Sequence, residues 1–295
     1  EASYQFRFGN FSGKVTGYYS RFNNGVEQTA FYNDQEGRFT YLTMSGIDRE
    51  HYGLEAAFKY NVTSNFAINL TGTYSEAQYV NNPMAEVNYE GMNSQTIEQL
   101  NVWKNPVTGE AMPLRVLAKG MRLNGTPLAA VALGLEYNVK GWFFEANLNY
   151  YDRVYVDFSE YRRLGNIAKN YVSTSETELK YDVTPGELKQ NGGVLFDKQG
   201  NVVKTYAAKQ EKFDGGFMLD ASIGKYIRLK KGKSLSINLS AQNITNNRNL
   251  RTGGYEQNRD DLYQTGVARA YRFSKNSKYY YANAFNAFLN IGFKF

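Results

Sequence analysis

Residues 279–295 read YYYANAFNAFLNIGFKF. Phe285, Ala287, Leu289, Ile291, Phe293 and Phe295 occupy odd positions and are apolar. Asn286, Asn290, Gly292 and Lys294 occupy even positions and are polar or small, with Phe288 the exception. Successive side chains of a strand point to opposite faces, so the period predicts one long strand, greasy on one side only. It closes on an aromatic residue. That is the form of the closing strand of an outer-membrane β-barrel, whose outer face is apolar and whose inner face is polar.

Eight stretches upstream alternate in the same way. Tyr4, Phe6 and Phe8 share one face, then Val15, Gly17 and Tyr19. Tyr52, Leu54, Ala56, Phe58 and Tyr60 follow, then Phe66, Ile68, Leu70 and Gly72. Further on, Val131, Leu133, Leu135 and Tyr137 alternate, as do Trp142, Phe144, Ala146, Leu148 and Tyr150. The last two sets are Phe217, Leu219, Ala221 and Ile223, and Leu235, Ile237, Leu239 and Ala241. The connections alternate as well. Short turns at 9–13, 61–65, 138–141 and 229–233 take turns with long polar stretches at 23–48, 81–126, 159–212 and 246–278. Structureless loops of that length are unusual in a compact soluble domain, whereas short turns at one end and long loops at the other are normal in a transmembrane barrel.

The composition fits that reading. Aromatic residues make up 16%, with 25 Tyr and 19 Phe against 2 Trp. Mean hydropathy is −0.56, and no run approaches the roughly 18 apolar residues of a spanning helix. Barrel strands average out as polar because they alternate. The chain has no cysteine, which removes disulfides and thiolate chemistry. Its net charge of +6 is scattered, so no nucleic-acid footprint forms. A soluble β-sandwich would also alternate, but three features oppose it. Several strands run longer than those of globular sheets, the polar face carries Gly, Ala, Ser and Asn with few charges, and aromatics such as Tyr60, Tyr137 and Trp142 gather near strand ends as an interfacial girdle would.

The expected fold is therefore all-β, an antiparallel transmembrane barrel, with 1–295 as one partial barrel domain. Nine strands are an odd number, and an open sheet edge in lipid leaves backbone groups unsatisfied. Together with a start inside a strand-like run at 2–8, the odd count is read as the sign of a longer protein. Local order is expected within the long stretches. Residues 194–205 read as a hairpin, 101–110 as another, and 94–100 as a helical turn or two.

Four stretches resemble the C-terminal barrel half of TonB-dependent outer-membrane receptors of the Bacteroidota type. They are SGIDREHYGLE at 45–55, NYYDRVYVDF at 149–158, QNITNNR at 242–248 running on to GGYEQNR at 253–259, and the closing strand. The resemblance implies a 22-stranded barrel of which these are the last nine strands, a periplasmic C-terminus in a Gram-negative outer membrane, and uptake of a scarce or large nutrient. It implies outer-membrane lipid, the remaining N-terminal strands and a plug as partners, and TonB acting through that plug. The plug itself has no counterpart in these residues. A surface lipoprotein and the barrel-assembly machinery are further partners of such receptors, the latter reading a terminal signal that Leu289, Ile291, Phe293 and Phe295 would supply. The other reading is a passive porin or a surface adhesin without energy coupling.

Chemistry is sparse. His51 is the single histidine, and a barrel hydrolase needs a His-centred nucleophile or activated water, so no enzyme is expected. His51 with Glu55 reads as part of a polar network on the inner face, and Glu136, Glu145 and Asp220 read as hydrogen-bonding groups of that face. Asp260 and Asp261 near Asn258 lack the spacing of a calcium loop. Gly253-Gly254 lacks the strand–Gly–helix context of a phosphate cradle. No metal and no cofactor are expected. Trp103, Arg162, Arg163, Tyr255 and Arg259 lie in the long stretches, where a ligand would first be met, and exposed aromatics and Arg favour binding.

Overall fold

A computed structural model of the chain describes residues 1–34, 36–93, 98–99, 101–166, 189–191, 193–205, 207–259 and 276–295. The helical turn expected over 94–100 falls largely outside these, as do Asp260 and Asp261. Four strands open the chain, β1 (Ala2–Phe8), β2 (Phe11–Asn33), β3 (Arg38–Asn61) and β4 (Phe66–Tyr79). Three short ones follow, β5 (Met84–Tyr89), β6 (Val102–Lys104) and β7 (Ala111–Pro113), then β8 (Ala129–Val139) and β9 (Trp142–Asp152). Next come β10 (Lys189–Asn191), β11 (Val194–Phe196) and β12 (Val202–Thr205), and the long pair β13 (Gly216–Arg228) and β14 (Ser234–Gln242). The last three are β15 (Arg251–Glu256), β16 (Ser277–Tyr281) and β17 (Asn286–Lys294).

Nine of these form one antiparallel wall in the order β1-β2-β3-β4-β8-β9-β13-β14-β17, matching the nine alternating stretches of the sequence. The register keeps every apolar set on one face. Phe8, Phe11, Tyr60 and Ile68 line up across four strands, and Leu70, Leu133, Leu148 and Leu219 across the next. Ile223, Leu239 and Leu289 complete the face. These residues are not buried, and Leu54 and Ile291 are each 63% exposed. The opposite face carries Ser, Thr, Asn, Gly and a few charges. Lys140 and Gly141, at φ 47° and 79°, join β8 to β9 in a two-residue turn of the kind whose twist suits a hairpin.

The stretch at 23–48 is not a loop. β2 and β3 pair almost without interruption up to Asn33 and Arg38, well beyond the rest of the wall. The pair crosses two adjacent bulges, where Asn24 (φ 57°) and Gly46 (φ 67°) adopt left-handed backbone. Each bulge adds one residue to one strand, so alternation reverses above it. Glu27, Thr29 and Phe31 then share a face with Leu42 and Met44. The closing strand also differs from its expected form. Tyr279 to Tyr281 belong to β16, which pairs with β15, and the wall strand begins at Asn286 opposite Gln242. The chain turns between them because Tyr279 packs against Phe213 away from the wall, at 5.5 Å between rings.

The long polar stretches fold into a cap at the end of the wall opposite the short turns. β5 joins the projecting part of β3, and β6–β7, β10–β11–β12 and β15–β16 form three small sheets. The hairpins expected at 101–110 and 194–205 are present as β6–β7 and β11–β12. The main cap core unites Leu42, Met44 and Ile47 of β3 with Val87, Leu114, Val116, Phe158 and Leu164. The buried apolar core of this chain therefore lies in the cap. The wall proper buries almost none.

Candidate functional site: the polar face of the wall and the cap above it

Alternation puts the side chains at odd positions of β3, β4 and β9 and even positions of β8, β13, β14 and β17 on the polar face. Two carboxylates there are held by neighbours. Lys59 Nζ lies 2.7 Å from Glu136 Oε2, and Asn69 donates a short hydrogen bond to the other Glu136 oxygen. Asp220 accepts from Asn149 Nδ2 at 2.9 Å and from the Asn243 backbone N–H at 2.8 Å. Glu55 and Glu145 have no hydrogen-bonding or ion-pair partner among the described residues. His51 does not join Glu55. Its ring stands edge-on to Phe22 at 5.1 Å, and its Nε2 is buried without a partner. Glycines admit large neighbours on this face, since a Cβ at Gly224 would collide with the Phe143 ring.

A buried ion pair among the described residues holds the cap together. Arg163 and Glu256 side chains are 0% and 1% exposed. Arg163 grips both Glu256 oxygens, one at 2.8 Å, and also donates to Ser159 O at 3.1 Å and Ala208 O at 3.2 Å. The Ser159 backbone N–H donates to the same carboxylate at 2.7 Å, and the guanidinium lies 5.3 Å from the Phe158 ring centre. Bidentate pairing of this kind fixes geometry as well as charge. It ties the segment after β9 to β15 and to the segment before β13. Nearby, Glu160 is half-buried but closely surrounded by protein. Desolvation pushes its carboxyl up to about 7, with Asp157 and Glu27 adding to the rise and Arg163 opposing it. Desolvation raises Asp157 as well.

The five residues picked from the sequence for ligand contact take different positions. Trp103 is 6% exposed in a small core with Leu117, Val194 and Phe196. Arg162 is buried and donates to the Asn258 carbonyl, and Arg163 is the locking residue. Tyr255 is 40% exposed beside Tyr280, at 6.2 Å. Arg259 is exposed, paired with Asp34 at 3.0 Å and set over the Tyr32 ring at 5.4 Å. The fold thus brings Arg162 and Arg163 to the segment carrying Tyr255 and Arg259, and places Trp103 against Gly165. Leu289, Ile291 and Phe293 stand on the apolar face, 56%, 63% and 53% exposed. Phe295 is 92% exposed and stacks on Phe293 at 6.2 Å.

Sequence reasoning passed over a cavity of about 320 Å³ at the junction of wall and cap, reached by Tyr151, Gln242, Asn283 and Asn286. Its lining is drawn from positions between 125 and 286, so no local sequence pattern marks it. Among the described residues no group of three or more His, Cys, Asp or Glu could hold a metal.

No family model matches the chain, and no curated protein does. The resemblance to TonB-dependent receptors therefore rests on the short stretches quoted above. Solved structures do match. One is a CymD monoaromatic hydrocarbon channel, 9% identical, with 81% of this chain and 57% of that one covered and a TM-score of 0.34. Another is the Pseudomonas putida toluene transporter TodX, 12% identical, covering 82% and 54%, with a TM-score of 0.36. The chain spans little more than half the length of either, and likeness at this level carries no argument about its function.

Proposed function

We propose that this chain forms nine adjacent wall strands and part of the outer cap of a transport barrel in a Gram-negative outer membrane. One observation carries the reading. Across nine strands in continuous register, one face is apolar and exposed while the other is polar, small and sparsely charged. In water such a face would be a large aggregation-prone patch; in a bilayer it is the lipid surface of a barrel. β1 and β17 do not pair with each other, so in lipid each must meet another strand to satisfy its backbone. Strands outside these nine complete the wall, and the cap marks the extracellular end.

Energy coupling is the finer part of the proposal. The resemblance to TonB-dependent receptors supports it, and so do Glu55 and Glu145, two lumen carboxylates without a partner in the wall that a plug could engage. A passive channel is the second reading. The wholly uncharged lumen face of β14 favours it, since a neutral path along the wall needs no moving plug. The test uses the full-length protein. Outer-membrane fractionation, heat-modifiable migration on gels and liposome swelling examine the barrel, and recovery as a soluble protein would overturn it. Loss of solute uptake in a strain lacking TonB would establish coupling, and unchanged uptake would leave the passive channel.

A further inference from the structure

The geometry points to a binding site for an uncharged solute with several hydroxyl or amide groups and one apolar face, in the cavity where the tops of β9, β13, β14 and β17 meet the β15–β16 ribbon. Five neutral polar side chains converge there, from Tyr151, Gln242, Thr252, Asn283 and Asn286. None of these side chains makes a hydrogen bond to another described residue, and Gln242, Thr252, Asn283 and Asn286 are exposed, so their polar groups stay open to a solute. Gln242 and Asn286 are directly opposed in the ladder, so their amides stand side by side. They offer two donors and an acceptor pair each toward the space between wall and cap.

The charges nearby are already committed. Arg251 lines the cavity, but its guanidinium is drawn to Glu211 at 3.0 Å and lies 4.4 Å from the Tyr279 ring centre. Asp220 spends its oxygens on Asn149 and the Asn243 N–H. A charged ligand would find no uncommitted counter-ion among the described residues and would lose its hydration. A neutral one can replace water on the amides at little cost. The apolar contact comes from Pro127, Val154, Met218 and Leu250, which line the same cavity. Aliphatic side chains on one side and amides on the other suit a ring-bearing solute with one apolar face. The cavity, at about 320 Å³, is at the small end for ligand clefts.

This site rests on the transport-barrel reading. The test is calorimetric titration of the folded full-length protein in detergent with phenyl glucoside and with phenyl glucuronide, which differs by a carboxylate. Saturable binding of the glucoside is expected, at least about tenfold tighter than the glucuronide. Gln242→Leu and Asn286→Leu should each weaken it about tenfold, the worth of a hydrogen bond lost from a polar site. Should those variants fail to fold, Gln242→Glu keeps the polarity and is expected to weaken glucuronide further. Equal binding of the two probes, folded Leu variants that bind like the parent, a Gln242→Glu that leaves glucuronide unchanged, or no saturable binding at all would overturn the inference. A protein that inserts and conducts yet ignores phenyl glucoside removes this inference alone. One that never reaches the membrane removes both.

Discussion

Replacing Arg163 by Met tests whether the cap is held by its buried ion pair. The substitution keeps most of the side-chain volume and removes the bonds to Glu256, Ser159 O and Ala208 O. It leaves the Glu256 carboxylate, 1% exposed, with the Ser159 N–H as its remaining named donor. Stranding one member of a buried pair costs about 3–5 kcal/mol, and Glu256→Leu, which strands the guanidinium, should cost as much. Singles acting independently would sum to about 6–10 kcal/mol in the double variant. The double strands no charge. Beyond the carbonyls that Arg163→Met alone already leaves unpaired, it orphans the Ser159 N–H, at about 1–3 kcal/mol, less than the stranded charge it removes. The double variant should therefore be no less stable than the worse single. Hydrogen exchange on the full-length protein reads the cap segments 154–164, 207–213 and 251–256 separately from the β8–β9 ladder, which serves as the unperturbed control. A double variant as damaged as the sum of the singles would refute the reasoning, as would equal loss of protection in β8 and β9.

Four more outcomes are expected. Leu133→Arg and Leu148→Arg, cross-strand neighbours on the apolar face, should each cost about 2–4 kcal/mol if they sit at mid-bilayer, whereas Ala132→Arg on the other face should cost far less; the midpoint of heat-modifiable unfolding checks this. Gly224→Ala should destabilise by about 1–3 kcal/mol through collision with Phe143, and Phe143→Leu should relieve it in the same assay. Because the folded Glu160 carboxyl titrates at about 7, above its unfolded value, the folded cap binds the extra proton. Its stabilisation is complete below about pH 4.5 and is lost as pH rises through about 7; exchange at 154–164 should quicken across that window, and Glu160→Gln should flatten the dependence. Deleting Phe295, which is 92% exposed and so contributes little packing, should lower outer-membrane levels while the inserted fraction keeps its heat-modifiability; unchanged levels would count against an assembly role.

Much of the wall was legible because a strand with one apolar and one polar face repeats every second residue, with few breaks such as Phe288. Leu133, Leu135 and Tyr137 could be assigned from the sequence alone. The cap was not legible, for physical reasons. Above the bulges at Asn24 and Gly46 both faces of β2 and β3 meet protein or water, so Glu27 and Thr29 share a side with Phe31 and the period breaks. Leu114, Val116, Ala118 and Met121 enter the cap core from a segment with no regular repeat. Residue type could not decide whether Trp103 or Arg163 would be exposed, because an aromatic ring and a paired guanidinium serve a buried core as well as a ligand. Tyr279 looked like wall because it alternates in step with Phe285 onward, although four residues between Tyr281 and Asn286 carry the chain from cap to wall.

The paired bulges at Asn24 and Gly46 have a consequence for how this protein can vary. They act as a phase reset, so the hairpin above them is read in a different frame from the strands below. An insertion of one residue between Ser12 and Arg21 would turn every later side chain of β2 around as far as the bulge, exchanging the apolar face for the polar one. The same insertion at the tip, between Asn33 and Arg38, would disturb neither frame. The tip of the hairpin can therefore vary in length while the wall stays in register, and novelty in what this surface meets is free to accumulate there without cost to the wall below it.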